Sequence, residues 1–463
     1  MRFNRHLVDI VQIISLPYSP NTAQAMCAVL DLPMPVWLDS GVPASNRGRF
    51  DIISADPLNQ LTLGAGTTAP FAAVDDLLCE LAPQEIDSQL PFSGGAIGFA
   101  GYELGHRGNF LPSDKRTTPL PAGFFGLYSW AFIADHHLRN SHLVIHPATP
   151  QAQVRDLTAR FKAIDWTQPA TAETFSLSSR FRHEFTAEQY QAQVQRILNY
   201  IRAGDIYQAN FTQRFTAEFE GDSLGAYLAL RKVAAGPFSA YLSVPGGQIL
   251  SLSPERFIHA DGDQLQTEPI KGTAPRGKTR QADRDYAEAL SQSVKDRAEN
   301  LMIVDLLRND FGKVCRRGSV RVPELFALQS FANVHHLVST VTGQLPDEQE
   351  FTDVLAACFP GGSITGAPKR RAMEIIRELE LSPRGIYCGS IGYISTCGRA
   401  DTNIAIRTLT ASDGRLQCAA GGGIVADSNP AAEHRECLQK VGLLLETLES
   451  EFLAAIDKKH LAR

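Results

Sequence analysis

A lysine between a proline and a glycine is the residue in this sequence best suited to nucleophilic chemistry. It lies in Thr267-Glu268-Pro269-Ile270-Lys271-Gly272-Thr273-Ala274-Pro275-Arg276-Gly277. Pro269 fixes φ and removes a backbone donor, while Gly272 permits unusual dihedrals and the close approach of a ligand. The amine of Lys271 is therefore expected to stand on a steady base beside open backbone N–H groups. By itself a Lys-Gly pair is more often a surface loop, because short motifs match by chance. A lysine near the reference pKa of ~10.4 is almost wholly protonated at neutral pH, so nucleophilic use requires an environment that favours the neutral amine. Burial does this, as would nearby cations, and Arg276 is one in reach along the chain.

Five more blocks accompany this one: Ser253-Pro254-Glu255-Arg256-Phe257 before it, then Glu299 to Asp310, Phe359 to Lys369, Ile404 to Thr408, and Gly421 to Ser428. In content and order the six resemble the chorismate-utilising enzymes, the anthranilate synthase component I family. The resemblance is strong from about Phe185 to Lys440 and weaker over most of the N-terminal part. Within that family lysine at this position marks the aminodeoxychorismate synthase branch, whereas anthranilate synthases usually carry alanine there.

The resemblance implies a substrate, chorismate, and roles for particular residues. Lys271 would attack C2 of the ring while the C4 hydroxyl leaves with Glu255 as general acid. Ammonia would then add at C4 and expel the lysine, giving 4-amino-4-deoxychorismate, which a separate lyase finishes to 4-aminobenzoate for folate synthesis. His336 and Ser363 would handle protons or orient the departing hydroxyl. Arg407, with its charged fork, suits the enolpyruvyl carboxylate, beside Tyr387 and the backbone of Gly421, Gly422 and Gly423. Gly272, Thr273 and Ala274 would hold the other side of the ligand, and Lys440 completes the binding set. Magnesium prefers oxygen ligands and keeps several waters, so Glu299 and Glu436 are expected to hold Mg2+ with Glu433 in their outer shell.

Nothing in the chain resembles the Gly-x-Cys-x-Gly nucleophile turn of a glutamine amidotransferase. A separate amidotransferase subunit is therefore expected to deliver ammonia, with activity on free ammonia in its absence. The family also implies an L-tryptophan pocket, here at Ser40, the Arg47-Gly48-Arg49-Phe50 turn, and Pro237-Phe238-Ser239. Asp39 stands where feedback-regulated relatives usually have glutamate. Rival readings are anthranilate synthase component I, which Lys271 opposes, isochorismate synthase, and a non-catalytic tryptophan-binding sensor.

These residues need a scaffold, and the family supplies its expected form: a two-layer α/β (α+β) arrangement of largely antiparallel sheets with outer helices and a central cleft. At 463 residues the chain exceeds a single core. The expected division is an N-terminal region over 1–147, a polar, proline-containing connecting segment over 148–184, and a catalytic region over 185–455. Strands are expected at Ile10 to Leu16, Val36 to Leu38, Phe50 to Ser54, Gly94 to Tyr102, Gly126 to Ala134 and Phe238 to Ala260, with a helix at Ala73 to Leu81. Val154, Leu157 and Phe161 have helical spacing within the connecting segment. Thr186 and Gln189 form a capping box ahead of a stripe through Tyr190, Val194, Ile197 and Ile201.

One helix is expected from Asp283 to Arg308, with Asp296, Glu299 and Ile303 on one face and Leu301, Val304 and Leu307 on another. A glycine-rich loop then leads to a helix opening at Pro368, whose first N–H groups suit a carboxylate. It lacks the Gly-Lys-Ser/Thr of a phosphate loop. Ser428 is expected to cap the last helix, which places Glu433, Glu436 and Lys440 on one stripe and Val441, Leu444, Leu448 and Phe452 on another.

The net charge of −6 gives no basic surface for nucleic acid. Lys369-Arg370-Arg371 reads as the solvated start of a helix. Eight cysteines without paired spacing suit reduced thiols in the cytoplasm. Asp9 and Gln12 interrupt the apolar run after Arg2 and Arg5, so a buried strand is expected there rather than a signal sequence, and no run is long enough to cross a bilayer.

Overall fold

The computed structural model describes residues 10–42, 48–86, 89–108, 111–112, 114, 116–170, 172–330 and 334–453. Its strands form two large sheets in which every strand pairing is antiparallel. The larger runs Gln12–Leu16, Asn140–Ile145, Trp130–Asp135, Phe50–Ser54, Val36–Asp39, Phe238–Val244, Gly247–Ser253, Thr408–Ser412, Arg415–Ile424, Gln208–Gly221 and Arg182–His183. The smaller runs Ile270–Pro275, Val334–Gln344, Gln264–Thr267, Arg256–Asp261, Arg399–Asn403, Ser390–Ser395, Gly95–Ala100, Gly123–Tyr128 and Asn59–Leu63. Strands from both ends of the chain lie in both sheets.

The two-residue period of a strand explains the layering. Val36, Ile52 and Leu242 pack into a core shared with Ile97, Phe99 and Ile391 of the smaller sheet. Their neighbours Trp37, Ile53 and Tyr241 point the other way, into a core with Phe161, Tyr190 and Leu444 of the outer helices. Ala96 and Ala100 face the opposite side of the smaller sheet, with Ile303, Leu307 and Met373. The arrangement is a two-sheet sandwich with helices outside, as expected. Trp37 and Trp130 are fully enclosed, and truncating either would cost about 3–5 kcal/mol.

Local signals mark most elements closely. Gln151–Lys162 is a helix, Trp166 stacks at 5.9 Å on Phe132, and the Thr186 capping box is formed. Other expectations need correction. The first long helix is Pro70–Leu78, because Pro70 supplies a preset first turn. The stretch Gly126 to Ala134 is two strands meeting at Ser129. The helix of Asp283 to Arg308 is two, Arg280–Gln292 and Val294–Gly312, broken at Ser293, whose side chain caps the second. Leu301 lies on the exposed side of that second helix at 44 % exposure, while Ile303 and Val304 are buried. Asn429, not Ser428, caps the last helix, Pro430–Phe452. Lys369 is buried and bonds Asp310 at 2.6 Å and the Cys358 carbonyl at 2.9 Å, so it is no part of a solvated cluster. Among the described residues no helix is long and apolar enough to cross a membrane.

Candidate active site

Glu255 and Lys271 flank two irregular points of the smaller sheet. Glu255 directly precedes the Arg256–Asp261 strand, whose register slips between Arg256 and Ile258. Lys271 sits within Ile270–Pro275, whose register slips between Ile270 and Thr273. In each case one strand has an extra residue, a bulge of the kind that re-aims a side chain. Gly272 has φ of +86°, and a Cβ there would lie 3.0 Å from Asp296 Cβ and Leu290 Cδ1. Helix packing and backbone hand thus require this glycine, rather than the approach of a ligand.

The two groups shape one another. Lys271 Nζ is 3.4 Å from the Ser363 carbonyl, its one hydrogen bond to a described residue. Its stem is partly open to the cleft, yet enough protein surrounds the amine that burial lowers its pKa. Glu255 opposes that shift and Lys440 reinforces it. Glu255 is 7 % exposed, and burial raises its pKa against the Lys271 charge and a hydrogen bond with Ser363. Both shifts favour the neutral pair, an amine beside a carboxylic acid. Arg276 contributes nothing to this balance: its guanidinium is held by Asp283 at 2.7 and 2.8 Å, and Lys440 is the cation acting on Lys271.

His336 Nδ1 lies 2.9 Å from the Thr273 hydroxyl, across the ladder from the lysine strand. Arg407 adopts φ of +50° and burial lowers its pKa. Among the described residues nothing accepts a hydrogen bond from its guanidinium. Such a cation is prepared for an incoming anion, since leaving it unmatched is unfavourable. The backbones of Cys388 and Gly389 pair with Ala405, and this holds buried Tyr387 close to the Arg407 turn.

The last helix brings its acidic stripe against the three glycines. A Cβ on Gly422 would lie 3.2 Å from Glu433 Oε2, 3.5 Å from Lys440 Nζ and 3.8 Å from Glu436 Oε1. Lys440 bonds Glu436 at 2.7 Å and the Gly421 carbonyl at 3.0 Å. Burial raises the Glu433 carboxyl, while at Glu436 burial is outweighed by Lys440 and its pKa is lowered. Glu299 faces the same space: burial raises its pKa, Lys271 opposes, and Glu436 adds to it. No group of three or more His, Cys, Asp or Glu side chains among the described residues is disposed as a metal cage. The donor set is one of carboxylate oxygens around a backbone position lacking a Cβ, which fits a hard cation completed by water and substrate oxygens.

Two features escaped the sequence. Gln208 is 1 % exposed, its Nε2 has no protein partner among the described residues, and it would lie 2.8 Å from a Cβ on Gly423. Its signal was the strand alternation that puts Gln208 and Asn210 on one face. Arg384 is buried and bonds Glu380 at 2.7 Å and the Ile364 carbonyl at 2.8 Å, thereby fixing the turn that carries Ser363. No local pattern announces that.

A separate cavity of about 500 Å³ is lined by Gly48, Arg49, Phe50, Pro237, Phe238 and Ser239 among others. Ser40 is not on its wall, because its hydroxyl donates to Asp51 at 2.6 Å, and Arg47 lies outside the described residues. Asp39 is tied up by Arg231 at 2.6 Å and Tyr227 at 2.7 Å.

The chain is similar to known proteins over most of its length. The chain is 46% identical to aminodeoxychorismate synthase component 1 of Salmonella typhimurium, covering 95% of this chain and 98% of the relative. It is 39% identical to anthranilate synthase component 1 of Thermus thermophilus, covering 90% and 92%. The structure matches anthranilate synthase component I from Streptococcus pneumoniae with a TM-score of 0.75 at 30% identity, covering 86% and 92%. A model of the chorismate binding enzymes matches residues 35–446, a span that takes in most of both sheets, the Lys271 strand and the acidic stripe of the last helix. With fold and similarity in agreement over nearly its whole length, the chain belongs to the chorismate binding enzyme family.

Proposed function

We propose that this chain converts chorismate and ammonia to 4-amino-4-deoxychorismate and water. The observation that carries this reading is the buried pair of Lys271 and Glu255, each shifted toward its neutral form. A second support is the likeness to relatives named aminodeoxychorismate synthase component 1. Glu255 gives its proton to the C4 hydroxyl, which leaves as water while the lysine nitrogen bonds C2 and the two conjugated ring double bonds shift. Ammonia then bonds C4, the shift reverses, the C2–N bond breaks with Lys271 leaving as a neutral amine, and the new C4 ammonium returns a proton to Glu255. Ser363 orients Glu255, and His336 steadies Thr273 beside the lysine.

Arg407 receives the enolpyruvyl carboxylate, with Tyr387 and the Gly421 to Gly423 backbone alongside. Glu299 and Glu436 hold Mg2+, with Glu433 behind them. When bound, the ion supplies positive charge for the ring carboxylate. Lys440 must yield Glu436 in part, which its exposed position allows. The word "component" in the relatives' names supports a partner, and a glutamine amidotransferase subunit is the chemistry required to release ammonia. The 500 Å³ cavity is of a size that takes a small amphipathic ligand, and L-tryptophan is the proposed occupant.

The test is intact-protein mass spectrometry of wild type and Lys271→Ala with chorismate and Mg2+ but no ammonia, paired with product analysis when ammonia is added. A chorismate-minus-water adduct on wild type alone, released as aminodeoxychorismate by ammonia, is expected. An active alanine variant that forms anthranilate would assign the chain to the other branch. Chorismate untouched by wild type, with tryptophan still raising the melting temperature, would leave a sensor.

A further inference from the structure

Lys271 and Glu255 must be held at a fixed separation, and the backbone ladder does this poorly. The Ile270–Pro275 and Arg256–Asp261 strands are not neighbours, being separated by Val334–Gln344 and Gln264–Thr267. Lys271 also sits within a register slip and Glu255 directly before one, where ladder bonds are interrupted. A shorter connection exists through side chains. Arg256, next to Glu255, donates from Nη1 to Glu268 Oε2 at 2.8 Å, and Glu268 is in the turn leading to Lys271.

Arg256 is itself fixed on its other edges. Its Nε and Nη2 bond the two carboxylate oxygens of Asp401 at 3.0 Å each, and its guanidinium stacks 5.0 Å from the Phe238 ring. Bidentate pairing and stacking leave a planar guanidinium little freedom. With two carboxylates against one cation, its charge is also offset, and it stands on the cavity wall rather than in the cleft.

We propose that Arg256, anchored by Asp401 and Phe238, is a positioning residue that sets Lys271 against Glu255 through its bond to Glu268. The inference rests on the roles given above to Lys271 and Glu255. A nucleophile displaced by about an ångström loses on the order of 100-fold in rate with little loss of substrate affinity, because Arg407 in the turn before Thr408–Ser412 and Gly421 to Gly423 on Arg415–Ile424 bind from elsewhere in the fold.

The experiment compares wild type, Glu268→Ala and Glu268→Gln in chorismate turnover with free ammonia and Mg2+, alongside the rate of adduct formation on Lys271 and the melting temperature. Glutamine keeps an acceptor for Arg256 and alanine does not. The expected result for Glu268→Ala is a kcat and an adduct rate lowered together by about 10- to 100-fold, with KM within about twofold. Glu268→Gln should recover most of the loss. A Glu268→Ala protein with wild-type kcat, or one whose loss merely follows its folded fraction, overturns the clamp. Equal defects in the alanine and glutamine variants do so too. An active Lys271→Ala control instead overturns the underlying reading, and the clamp with it.

Discussion

The cleft and the cavity both gather charged side chains, but they treat them in opposite ways. Around the cavity every charge is matched: Arg49 with Asp135, Asp39 with Arg231, Arg399 with Asp261, and Arg256 with Asp401 and Glu268. In the cleft Arg407 has no hydrogen-bond acceptor among the described residues, Gln208 Nε2 has no partner, and Lys271 has only a distant carbonyl. Paired charges make a wall that stands without a ligand. Unpaired ones hold free energy that an anionic substrate can release. The cleft is thus built for turnover and the cavity for occupancy.

The largest test of this contrast is Glu255→Gln. An amide cannot donate a proton to the leaving hydroxyl, and kcat should fall by roughly 100- to 10,000-fold with free ammonia as the nitrogen source. The pH profile carries the sign. In the proposed mechanism Lys271 works when neutral, above its pKa, and Glu255 when protonated, below its own. Activity therefore falls on both sides of an optimum. Burial lowers the first pKa and raises the second, and both shifts enlarge the population in which amine and acid coexist. The residual activity of the glutamine variant should lose the limb that belongs to Glu255. Retention of both limbs would show that another group is the acid.

Arg407→Ala comes next. Removing a charge-assisted partner of a carboxylate should weaken chorismate by about 2 kcal/mol, roughly 30-fold in KM. Because the free protein has no internal partner for that guanidinium, the variant should melt no lower than wild type. A stability loss as large as the KM effect would mean that the guanidinium is structural, and the contrast with the cavity would weaken.

The smallest effect belongs to the cavity. L-tryptophan at 100 times its Kd should stabilise the chain by about 2.7 kcal/mol, seen as a raised melting temperature, with kcat little changed. Phe238→Ala should abolish the shift. If tryptophan also abolishes turnover, the paired wall conducts a signal to the cleft and is not inert.

Individual residues show what was legible. The capping box at Thr186 and the helix at Gln151–Lys162 are local events, written in residues three and four apart, and they appear where expected. Ser428 was misread because Asn429 beside it caps equally well, and only the geometry of the turn chooses between them. Lys369 looked solvated because its partner Asp310 lies 59 residues away, and Arg276 looked like a free cation because Asp283 closes on it from the next helix.

What the sequence determined by itself was chemical identity: a lysine on a stiff proline-glycine segment, an acid in Ser-Pro-Glu-Arg, an acidic helical stripe, and the order of six blocks matching one family. Tertiary structure alone decided protonation and pairing. Whether Arg256 opposes or spares Glu255 depends on Asp401 and Glu268, both remote from it in the chain. Whether Gly272 serves ligand or helix depends on Asp296 and Leu290. Electrostatic and packing terms act across space over a few ångströms, and the sheet brings together residues that the chain keeps far apart.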